Sequence, residues 1–302
     1  MQTQTLALPA PYRSADVLAF HGRDAEGLSE QVLHAQGEAR IRKAVLLNGM
    51  PTLLDVTLTP APVPDTALCR VEADGTLDAP TLALAHDALR SALALRIDPA
   101  PFAAFVREDP VFAPLVARQP GLRIVQSATV FEALTWAIIG QQINLPFAIS
   151  LRRTFIEQAG RPHSSGLRCY PEAADVARLD IEQLTTRKFS RAKADALLRV
   201  ARLAAEGKLP LSQHDDPQQA AAALLAVKGV GPWTVNYTLL RGYGYADCSL
   251  EGDVAVRSAI GRLAGMADKP GIAAAQAWLA AYAPHRTMAA AYLWASLSET
   301  AS

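Results

Sequence analysis

The segment Leu224–Leu240, LLAVKGVGPWTVNYTLL, constrains the fold more than any other stretch of this chain. An apolar helical turn ends at Val227, and Gly229 and Gly231 can take the positive-φ or crowded backbone positions that a tight hairpin needs. Pro232 suits the first position of a following helix, where an N–H group has no intrahelical partner. The segment therefore predicts a helix, a tight hairpin and a second helix.

The same hairpin predicts a site for one phosphate, because outward-pointing amides at the positive end of a helix bind anions. The amides expected to point outward are those of Gly229, Gly231, Trp233 and Thr234. Lys228 adds a point charge for the same anion. A glycine pair alone is weak evidence, since many helix pairs turn on glycine. The whole string KGVGPWTVNY, residues 228–237, is far more specific.

This string, followed by Asp253 at 22 positions beyond Gly231, resembles the helix-hairpin-helix DNA glycosylases of base-excision repair. Within that superfamily the chain is similar to 3-methyladenine-DNA glycosylase II, the AlkA type, most clearly after its N-terminal third. The resemblance implies an enzyme that flips alkylated purines, such as 3-methyladenine or 7-methylguanine, out of duplex DNA. It implies hydrolysis of the N-glycosidic bond without a cofactor. We expect a monomer, because one hairpin and one wedge serve one lesion.

Asp253 has two interpretations. Its position just before Val254–Ile260 favours the N-cap of a helix. The resemblance implies that it is the catalytic carboxylate, and the two roles are compatible. One fixed anion can stabilise the positive charge that builds on the deoxyribose, because an alkylated purine is already cationic and needs no acid to leave. Glu251 and Asp247 are rivals, but Asp253 has the better register with the following helix.

The resemblance places four side chains around the flipped base, namely Trp233, Tyr237, Phe20 and His285. Trp233 and Tyr237 are four residues apart, so their rings share one helix face, a spacing that is also common in cores. Aromatic faces attract a cation by ~0.5–2 kcal/mol. His285 stands where the best-known relative has tryptophan, and a protonated imidazole would repel a cationic purine. We therefore expect activity to fall below about pH 6.

The resemblance also assigns residues that contact DNA. Gln142, in the polar segment that ends the apolar helix expected over 129–141, would be the wedge that fills the gap left by the flipped base. A helix end that satisfies its own carbonyls is the alternative explanation. The hairpin contacts would come from Lys228, Gly229, Val230, Gly231 and Thr234. A monovalent cation would bind the carbonyls of Leu225, Val227 and Val230 and bridge to the DNA phosphate.

Trp233 stands where bifunctional relatives place the lysine that forms a Schiff base and cuts the strand. A tryptophan cannot do so, and we therefore expect a monofunctional enzyme. Two alternatives remain open. The chain could be a non-catalytic DNA-binding module in which Asp253 is only a cap, or a glycosylase for neutral lesions such as hypoxanthine or uracil, with leaving-group help from His285.

Composition limits these choices. The net charge is zero, but residues 1–100 hold 8 Lys/Arg against 12 Asp/Glu, whereas the remainder holds 21 against 17. A face for double-stranded DNA should therefore lie on the C-terminal two-thirds. No apolar run is long enough to span a membrane, and the start of the chain does not resemble a signal peptide. Three widely spaced cysteines indicate a reduced, cytoplasmic setting and cannot supply the four thiolates of an iron–sulfur cluster.

The chain is expected to fold as an α+β protein of two domains. Residues 1–96 predict a small antiparallel α+β domain, with β-like runs at 41–47 and 52–58 around the turn signal Asn48-Gly49. A short turn or helix is expected at 15–20, and helices are expected at 24–35 and 79–95. Residues 97–302 read almost entirely as helix, broken at proline and glycine, and predict an all-α helix-hairpin-helix glycosylase domain of eight or more helices.

Overall fold

The structure is a computed structural model, and it describes residues 1–35, 37–58 and 66–298. Within these residues, five strands form one antiparallel sheet in the order β1-β5-β4-β3-β2. The strands are β1 (Gln2–Ala7), β2 (Glu30–Ala35), β3 (Glu38–Leu47), β4 (Met50–Leu58) and β5 (Thr66–Ala73). The sheet and the helical remainder confirm the predicted α+β class.

The predicted hairpin joins β3 to β4, with Leu47 paired to Met50. Asn48 and Gly49 between them have φ values of 51° and 74°, which is the left-handed geometry that a two-residue hairpin turn requires. The helix expected over 24–35 is wrong. Residues 30–35 instead form β2, because they pair with β3 from Glu30↔Lys43 to Ala35↔Glu38. Cross-strand pairing outweighs local propensity there.

Two helices accompany the sheet. They are α1 (Ser14–His21), where a short turn or helix was expected at 15–20, and α2 (Ala79–Ala92), which confirms the helix expected at 79–95. Asp78 starts α2 because its Oδ1 accepts from the amide of Thr81 at 2.9 Å. Ala85, Ala88 and Leu89 form the fully buried face of α2.

The rest of the described chain is helical, as predicted. The helices are α3 (Ala100–Phe105), α4 (Phe112–Arg118), α5 (Val130–Gly140), α6 (Leu145–Ala159), α7 (Ala173–Val176), α8 (Glu182–Thr185), α9 (Arg191–Ala205), α10 (Pro217–Leu225), α11 (Pro232–Thr238), α12 (Val254–Leu263), α13 (Ile272–Ala280) and α14 (Arg286–Ser298). A π-helical turn, Leu239–Tyr243, prolongs α11. Helix α5 runs through the interior and is buried from Val130 to Ile139, so it forms the scaffold against which α11 packs.

A buried charge cluster of Glu30, Lys43, Glu132 and Arg152 ties the sheet to α5 and α6. Lys43 Nζ lies 2.9 Å from a Glu30 carboxylate oxygen and 2.7 Å from Glu132 Oε1, and Arg152 Nη2 lies 3.0 Å from the same Glu132 oxygen. Burial alone would raise the pKa of Glu30, but Lys43 and Arg152 outweigh burial and hold that pKa well below its ordinary value. The cluster therefore fixes α5 relative to the sheet.

The predicted domain boundary at residues 96 and 97 follows α2 and stays a prediction, since one hydrophobic core includes residues from both sides of it. Cys69, Cys169 and Cys248 are all buried and free. Over residues 1–35, 37–58 and 66–298, no helix combines the length and the apolar character that a membrane span requires.

Candidate active site

The hairpin between α10 and α11 forms as predicted, but its two glycines have different roles. Gly229 has φ +97°, and a Cβ there would lie 2.9 Å from the Cβ of Ala196 on α9. Gly231 has an extended backbone with φ −101° and ψ 175°, and a Cβ there would meet no atom within 4 Å. The expectation of a positive-φ or crowded position therefore holds for Gly229 and is wrong for Gly231. Of these two hairpin positions, only position 229 requires glycine.

Helix α11 begins without a side-chain cap. Gly231 is the N-cap residue and provides no side-chain hydrogen bond, while Pro232 holds the first helical position. Lys228 is exposed beside this end. The positive end of α11 is thus uncovered by any capping side chain, which suits a phosphate.

The loop between α5 and α6 is tied to this hairpin by Gln141. Its amide nitrogen donates to the Thr234 hydroxyl at 2.8 Å and to the Gly229 carbonyl at 3.2 Å. The neighbouring Gln142 is exposed and has φ 55°, which turns the chain sharply between the helices. The polar residues that end α5 therefore join two surface elements, which is more than the capping of a helix.

A cavity of about 1130 Å³ opens between these elements. Its lining comes from α5 and the loop after it, α6, the hairpin end, α11 with its π-helical turn, the start of α12 and one residue of α14. The side chains that matter for chemistry are Trp136, Gln142, Leu145, Trp233, Thr234, Tyr237, Arg241, Asp253 and Trp294. Gly231 and Pro232 of the hairpin also line this cavity, so the anion-binding end and the cavity share one wall.

Asp253 is the acidic residue of this lining and also the N-cap of α12. Its Oδ1 accepts from the amide of Val256 at 2.9 Å and from the indole Nε1 of Trp294 at 3.2 Å. Its Oδ2 accepts from the indole Nε1 of Trp233 at 3.1 Å. Three donors match a carboxylate, which only accepts hydrogen bonds. The two interpretations of Asp253, cap and cavity carboxylate, thus coexist in one geometry.

The rival carboxylates are placed differently. Asp247 forms a two-point ion pair with Arg286, with Nε to Oδ1 at 2.6 Å and Nη2 to Oδ2 at 2.7 Å. Burial would raise the pKa of Asp247, but hydrogen bonds from Arg286 outweigh burial and lower it. Glu251 is not among the residues that line the cavity. Only Asp253 of these three faces the open space.

The aromatic wall contains both predicted and unpredicted members. The rings of Trp233 and Tyr237 lie together with centroids 5.2 Å apart and planes at 31°, as their spacing predicts. Trp136 donates its indole N–H to the Tyr237 hydroxyl at 3.2 Å. Trp136 and Trp294 were not predicted, because α5 reads as core and no local motif surrounds Trp294.

Arg241 also lines the cavity and was not predicted. It belongs to the π-helical turn, one helical turn beyond Tyr237, and this four-residue spacing is the signal that could have found it. Its guanidinium carbon lies 5.7 Å from the Tyr237 ring centroid and 5.8 Å from that of Trp294. The cavity wall is therefore both aromatic and cationic.

Two predicted pocket residues lie elsewhere. His285 does not line the cavity, and its ring packs against Phe105 and Phe102 of α3, with centroids 5.4 and 6.5 Å away. The predicted place of His285 is therefore wrong, and the expected loss of activity below about pH 6 loses its basis. Phe20 is also absent from the lining. Its ring lies behind Arg241, whose guanidinium carbon is 5.1 Å from the Phe20 centroid.

Apolar side chains surround the mouth of the cavity. Leu145, at the first position of α6, is 55 % exposed, and Val254, at the first position of α12, is 58 % exposed. Both line the cavity. Phe147, two residues beyond Leu145, is 37 % exposed. Large apolar side chains in water are unfavourable, and a group of them beside a cavity indicates a contact surface.

The cation expected at the carbonyls of Leu225, Val227 and Val230 remains a prediction. Carbonyl oxygens are the kind of ligand that hard cations take, so the chemistry of the donors fits. The Val227 carbonyl also accepts the amide of Val230 at 3.0 Å, which uses one of its two lone pairs. Among the residues that the structure describes, no group of three or more His, Cys, Asp or Glu side chains could hold a metal ion.

Comparison with known proteins agrees with this geometry. Residues 135–281 match the family described as the HhH-GPD superfamily base excision DNA repair protein. The DNA-3-methyladenine glycosylase of Bacillus subtilis is 32% identical over 178 residues, which cover 57% of this chain and 59% of that protein. DNA-3-methyladenine glycosylase 2 of Escherichia coli is 30% identical over 182 residues, covering 60% of this chain and 62% of that protein. The chain thus spans about three fifths of the length of these curated relatives.

Among solved structures, a 3-methyladenine DNA-glycosylase from Archaeoglobus fulgidus superposes with a TM-score of 0.77 over 96% of this chain and 97% of that one. The sequence identity is 21%, so this likeness concerns the fold alone. It includes the sheet as well as the helices, since nearly the whole chain is covered. The family match contains α11, the hairpin and Asp253. Residues 135–281 of this chain are therefore a domain of the HhH-GPD superfamily.

Proposed function

We propose that this chain is a monofunctional DNA N-glycosylase that removes alkylated purines, of the 3-methyladenine and 7-methylguanine kind, from double-stranded DNA. One observation carries the proposal. The carboxylate of Asp253 faces the same cavity as Gly231 and Pro232, so a nucleotide whose phosphate lies on the hairpin can bring its sugar to the carboxylate. The names of the relatives from Bacillus subtilis and Escherichia coli support alkylated purines as substrates.

The hairpin binds the DNA backbone in this proposal. The uncapped amides at the start of α11 and the exposed Lys228 attract one phosphate. The open space beside Gly231 lets the phosphate approach the main chain, which a side chain would obstruct. The excess of basic residues after residue 100 also attracts the phosphates of the DNA. A single hairpin and a single wedge serve one lesion, which favours a monomer. The proposed enzyme acts in the cytoplasm.

The flipped base enters the cavity, and side chains at its mouth take its place in the duplex. Gln142 is exposed on the loop tied to the hairpin, which supports its proposed role as a wedge. Leu145 is exposed at the start of α6, directly after this loop, and lines the cavity, and it adds an apolar group that can stack against the neighbouring bases. We propose that the two residues act together, with Gln142 bonding to the orphaned base and Leu145 filling the gap.

Hydrolysis then needs one fixed negative charge. The bond from the sugar C1′ to the base breaks, its electron pair leaves with the cationic base, and the sugar becomes positive. Asp253 lies beside that charge, held by the indole N–H groups of Trp233 and Trp294. Water adds its oxygen to C1′ and releases its proton to solvent. The aromatic faces of Tyr237 and Trp233 bind the base until it leaves.

The cavity also supports hydrolysis without strand cleavage. Strand cleavage by a glycosylase needs an amine that forms a Schiff base with the sugar. None of the residues described as lining the cavity is a lysine, and Trp233 occupies the helix position beside Asp253. We therefore expect an abasic product with an intact backbone.

Base release from four duplexes tests the proposal, with 3-methyladenine, 7-methylguanine, hypoxanthine and uracil as the single lesions. We expect release of both alkylated purines, strands that break only after alkali or heat, and no protein trapped on DNA by borohydride. Strand cleavage before alkali together with trapping would overturn the monofunctional assignment. Tight binding without any base release would favour a non-catalytic DNA-binding module.

A further inference from the structure

The segment that carries Asp253 has no regular structure of its own. Residues 244–253 link the π-helical turn to α12, and over this range, which the structure describes in full, there is neither helix nor strand. Cys248 and Leu250 are nevertheless buried, with exposed fractions of 0 % and 1 %. A buried segment without regular structure must satisfy its backbone N–H and C=O groups through other elements. Those partners therefore determine where Asp253 lies.

The first turn of α14 supplies such partners through Thr287. Its hydroxyl donates to the Tyr245 carbonyl at 2.8 Å and accepts from the amide of Cys248 at 2.9 Å. Its own amide donates to the Ala246 carbonyl at 3.1 Å. Thr287 is fully buried, where an unpaired hydroxyl would be unfavourable, and here the hydroxyl both donates and accepts. Thr287 therefore holds residues 245–248 against α14.

The ion pair between Asp247 and Arg286 joins the same two elements. Asp247 Oδ1 accepts from the backbone amide of Arg286 at 3.3 Å as well as from its guanidinium. The amides of Arg286 and Thr287 belong to the first turn of α14, where N–H groups have no partner within the helix. Asp247 and Ala246 thus cap α14 from a distant segment. The rival carboxylate of Asp247 is therefore engaged in holding this segment.

Helix α14 also holds the other end of the segment. Trp294 lies seven residues beyond Thr287, which is two helical turns and places the two side chains on one face, about 10 Å apart along the axis. Trp294 donates to Oδ1 of Asp253 at 3.2 Å. The segment 244–253 is therefore bound to one face of one helix both near its start and at its end.

We infer that Asp247, Arg286 and Thr287, together the α14 clamp, are positioning residues that hold the Asp253 carboxylate in the direction the reaction needs. The inference rests on the proposed function, in which this carboxylate stabilises the sugar cation, and it adds residues that do not line the cavity. Without the clamp Asp253 keeps its charge but loses its fixed position. A displacement of about 1 Å at a reacting group can slow a reaction ~100-fold.

The indole N–H signals in ¹H–¹⁵N spectra test the clamp without DNA. The chain has four tryptophans, and the variants Trp294→Phe and Trp278→Phe identify two of the signals. Thr287→Val keeps the shape of the side chain and removes its hydroxyl. We expect it to shift or broaden the Trp294 signal, because the carboxylate that accepts this N–H moves. Thr287→Ser retains the hydroxyl and should restore the signal, while the Trp278 signal should stay in place throughout.

Single-turnover release of 7-methylguanine is the second readout. We expect Thr287→Val to release base about 10- to 100-fold more slowly than wild type, with little change in duplex affinity, and Thr287→Ser to recover most of the rate. In an Asp253→Asn background Thr287→Val should slow release no further, because the clamp acts through this carboxylate. Arg286→Lys keeps the charge but loses the two-point contact, so it should change both readouts in the same direction. It also tests the clamp if Thr287→Val does not fold.

Thr135→Val is the matched control. Thr135 is as fully buried as Thr287, and its hydroxyl bonds to the Phe131 carbonyl and to the Tyr170 hydroxyl, each at 2.7 Å. It does not line the cavity. Its variant should therefore lose a buried hydroxyl in the same way and leave both the Trp294 signal and the rate of base release at their wild-type values.

The outcomes separate the clamp from the proposed function. The inference would be overturned if Thr287→Val and Arg286→Lys left the Trp294 signal in place, if neither changed the rate, or if Thr135→Val slowed release as much as they did. Wild type that releases no alkylated base would instead count against the proposed function. The indole signals would then still show whether the clamp holds Asp253.

Discussion

The indole N–H of Trp294 donates to Oδ1 of Asp253 at 3.2 Å, although the two residues are 41 positions apart in the sequence. Trp233 donates to the other oxygen at 3.1 Å. The carboxylate is thus held by indoles from two helices, α11 and α14, while the first turn of α12 supplies a backbone amide. Two tryptophans that hold one carboxylate fix its direction toward the cavity.

The first prediction concerns this pair. Trp294→Phe keeps an aromatic ring and removes the N–H donor. A hydrogen bond to a charged group contributes about 1.5–3 kcal/mol, so we expect base release to slow by about 10- to 100-fold. Duplex affinity should change little, because Trp294 does not belong to the hairpin. Single-turnover rates and binding curves measure the two effects separately.

Trp278→Phe is the control for this substitution. Trp278 packs against Tyr282 and Phe112, with ring centroids 4.9 and 5.8 Å away, and it does not line the cavity. Its variant should release base at the rate of the wild type. If Trp294→Phe also retained that rate, the indole contact would have no part in the chemistry.

The hairpin glycines give a second prediction. Gly231→Ala should fold normally, at a cost below ~1 kcal/mol, because its backbone is extended and its Cβ would meet open space. It should nevertheless weaken duplex binding by about tenfold, since a methyl group would stand between the amides and the phosphate.

Gly229→Ala should lose at least ~1–2 kcal/mol of unfolding free energy through its positive φ and the contact with Ala196. Urea unfolding and fluorescence anisotropy distinguish the two. A Gly231→Ala variant with unchanged affinity would argue against phosphate binding at this end of α11.

The contrast between the two glycines shows what the sequence could predict. The residue types of neighbouring positions were sufficient to predict the α10–α11 hairpin, the Asn48-Gly49 turn and the cap at Asp253, because each depends on residues a few positions apart. The sequence near the hairpin could not show that Gly229 contacts Ala196 of α9 while Gly231 faces open space, because this difference depends on tertiary packing.

The rest of the cavity depends on contacts between distant segments. Trp294 joins the site through a hydrogen bond to Asp253, which lies 41 positions away in the sequence. Arg241 is held by a hydrogen bond to the carbonyl of Val125, 116 positions away. His285 was misplaced because its ring partners, Phe102 and Phe105, lie on α3, far from it in the sequence. Residues 30–35 were misread as helix because their strand character comes from pairing with β3. Tertiary packing decides such positions, and a single sequence does not display it.

A third prediction separates the two wedge candidates. Leu145→Ala removes an exposed apolar side chain at the cavity mouth and should reduce the population of flipped base, slowing excision by about tenfold. Gln142→Ala should lower the preference for the base opposite the lesion, because it removes a side chain that can hydrogen-bond to that base. Fluorescence of 2-aminopurine next to the lesion reports flipping directly. Leu33→Ala, which removes a 42 % exposed leucine from β2, serves as the control. If flipping by Leu145→Ala and Leu33→Ala were indistinguishable, Leu145 would not be a wedge.

The buried charge cluster gives a fourth prediction. Burial acts to raise the pKa of both Glu30 and Glu132, but Lys43 and Arg152 outweigh it, and both pKa values lie below the ordinary 4.5. Carboxyl groups whose folded pKa is depressed stabilise the fold above their ordinary pKa, and this stabilisation is lost as the pH falls. The free energy of unfolding should therefore decline as the pH falls below about 4.5.

Lys43→Met tests this cluster. Leaving two buried carboxylates with one cation should cost about 3–5 kcal/mol at neutral pH. The acid decline should also begin at higher pH, because the lysine no longer lowers the two pKa values. Lys208→Met is the control, since Lys208 is an exposed partner of Glu206 and its loss should change stability by less than ~1 kcal/mol. Urea unfolding between about pH 4 and 7 measures both effects. If the unfolding free energies of Lys43→Met and Lys208→Met were the same at every pH, the cluster would have no structural role.

The most direct test replaces the cavity carboxylate itself. Asp253→Asn keeps the shape and an oxygen that can still cap α12, and it removes the negative charge beside the sugar. Asp78→Asn makes the same change at the N-cap of α2, outside the cavity, and is the matched control. The measurement is single-turnover release of 7-methylguanine from a duplex, with the affinity for the same duplex determined in parallel. We expect Asp253→Asn to bind like wild type and to release base at least about 100-fold more slowly, with Asp78→Asn unchanged. Release by Asp253→Asn at the rate of wild type would contradict the account.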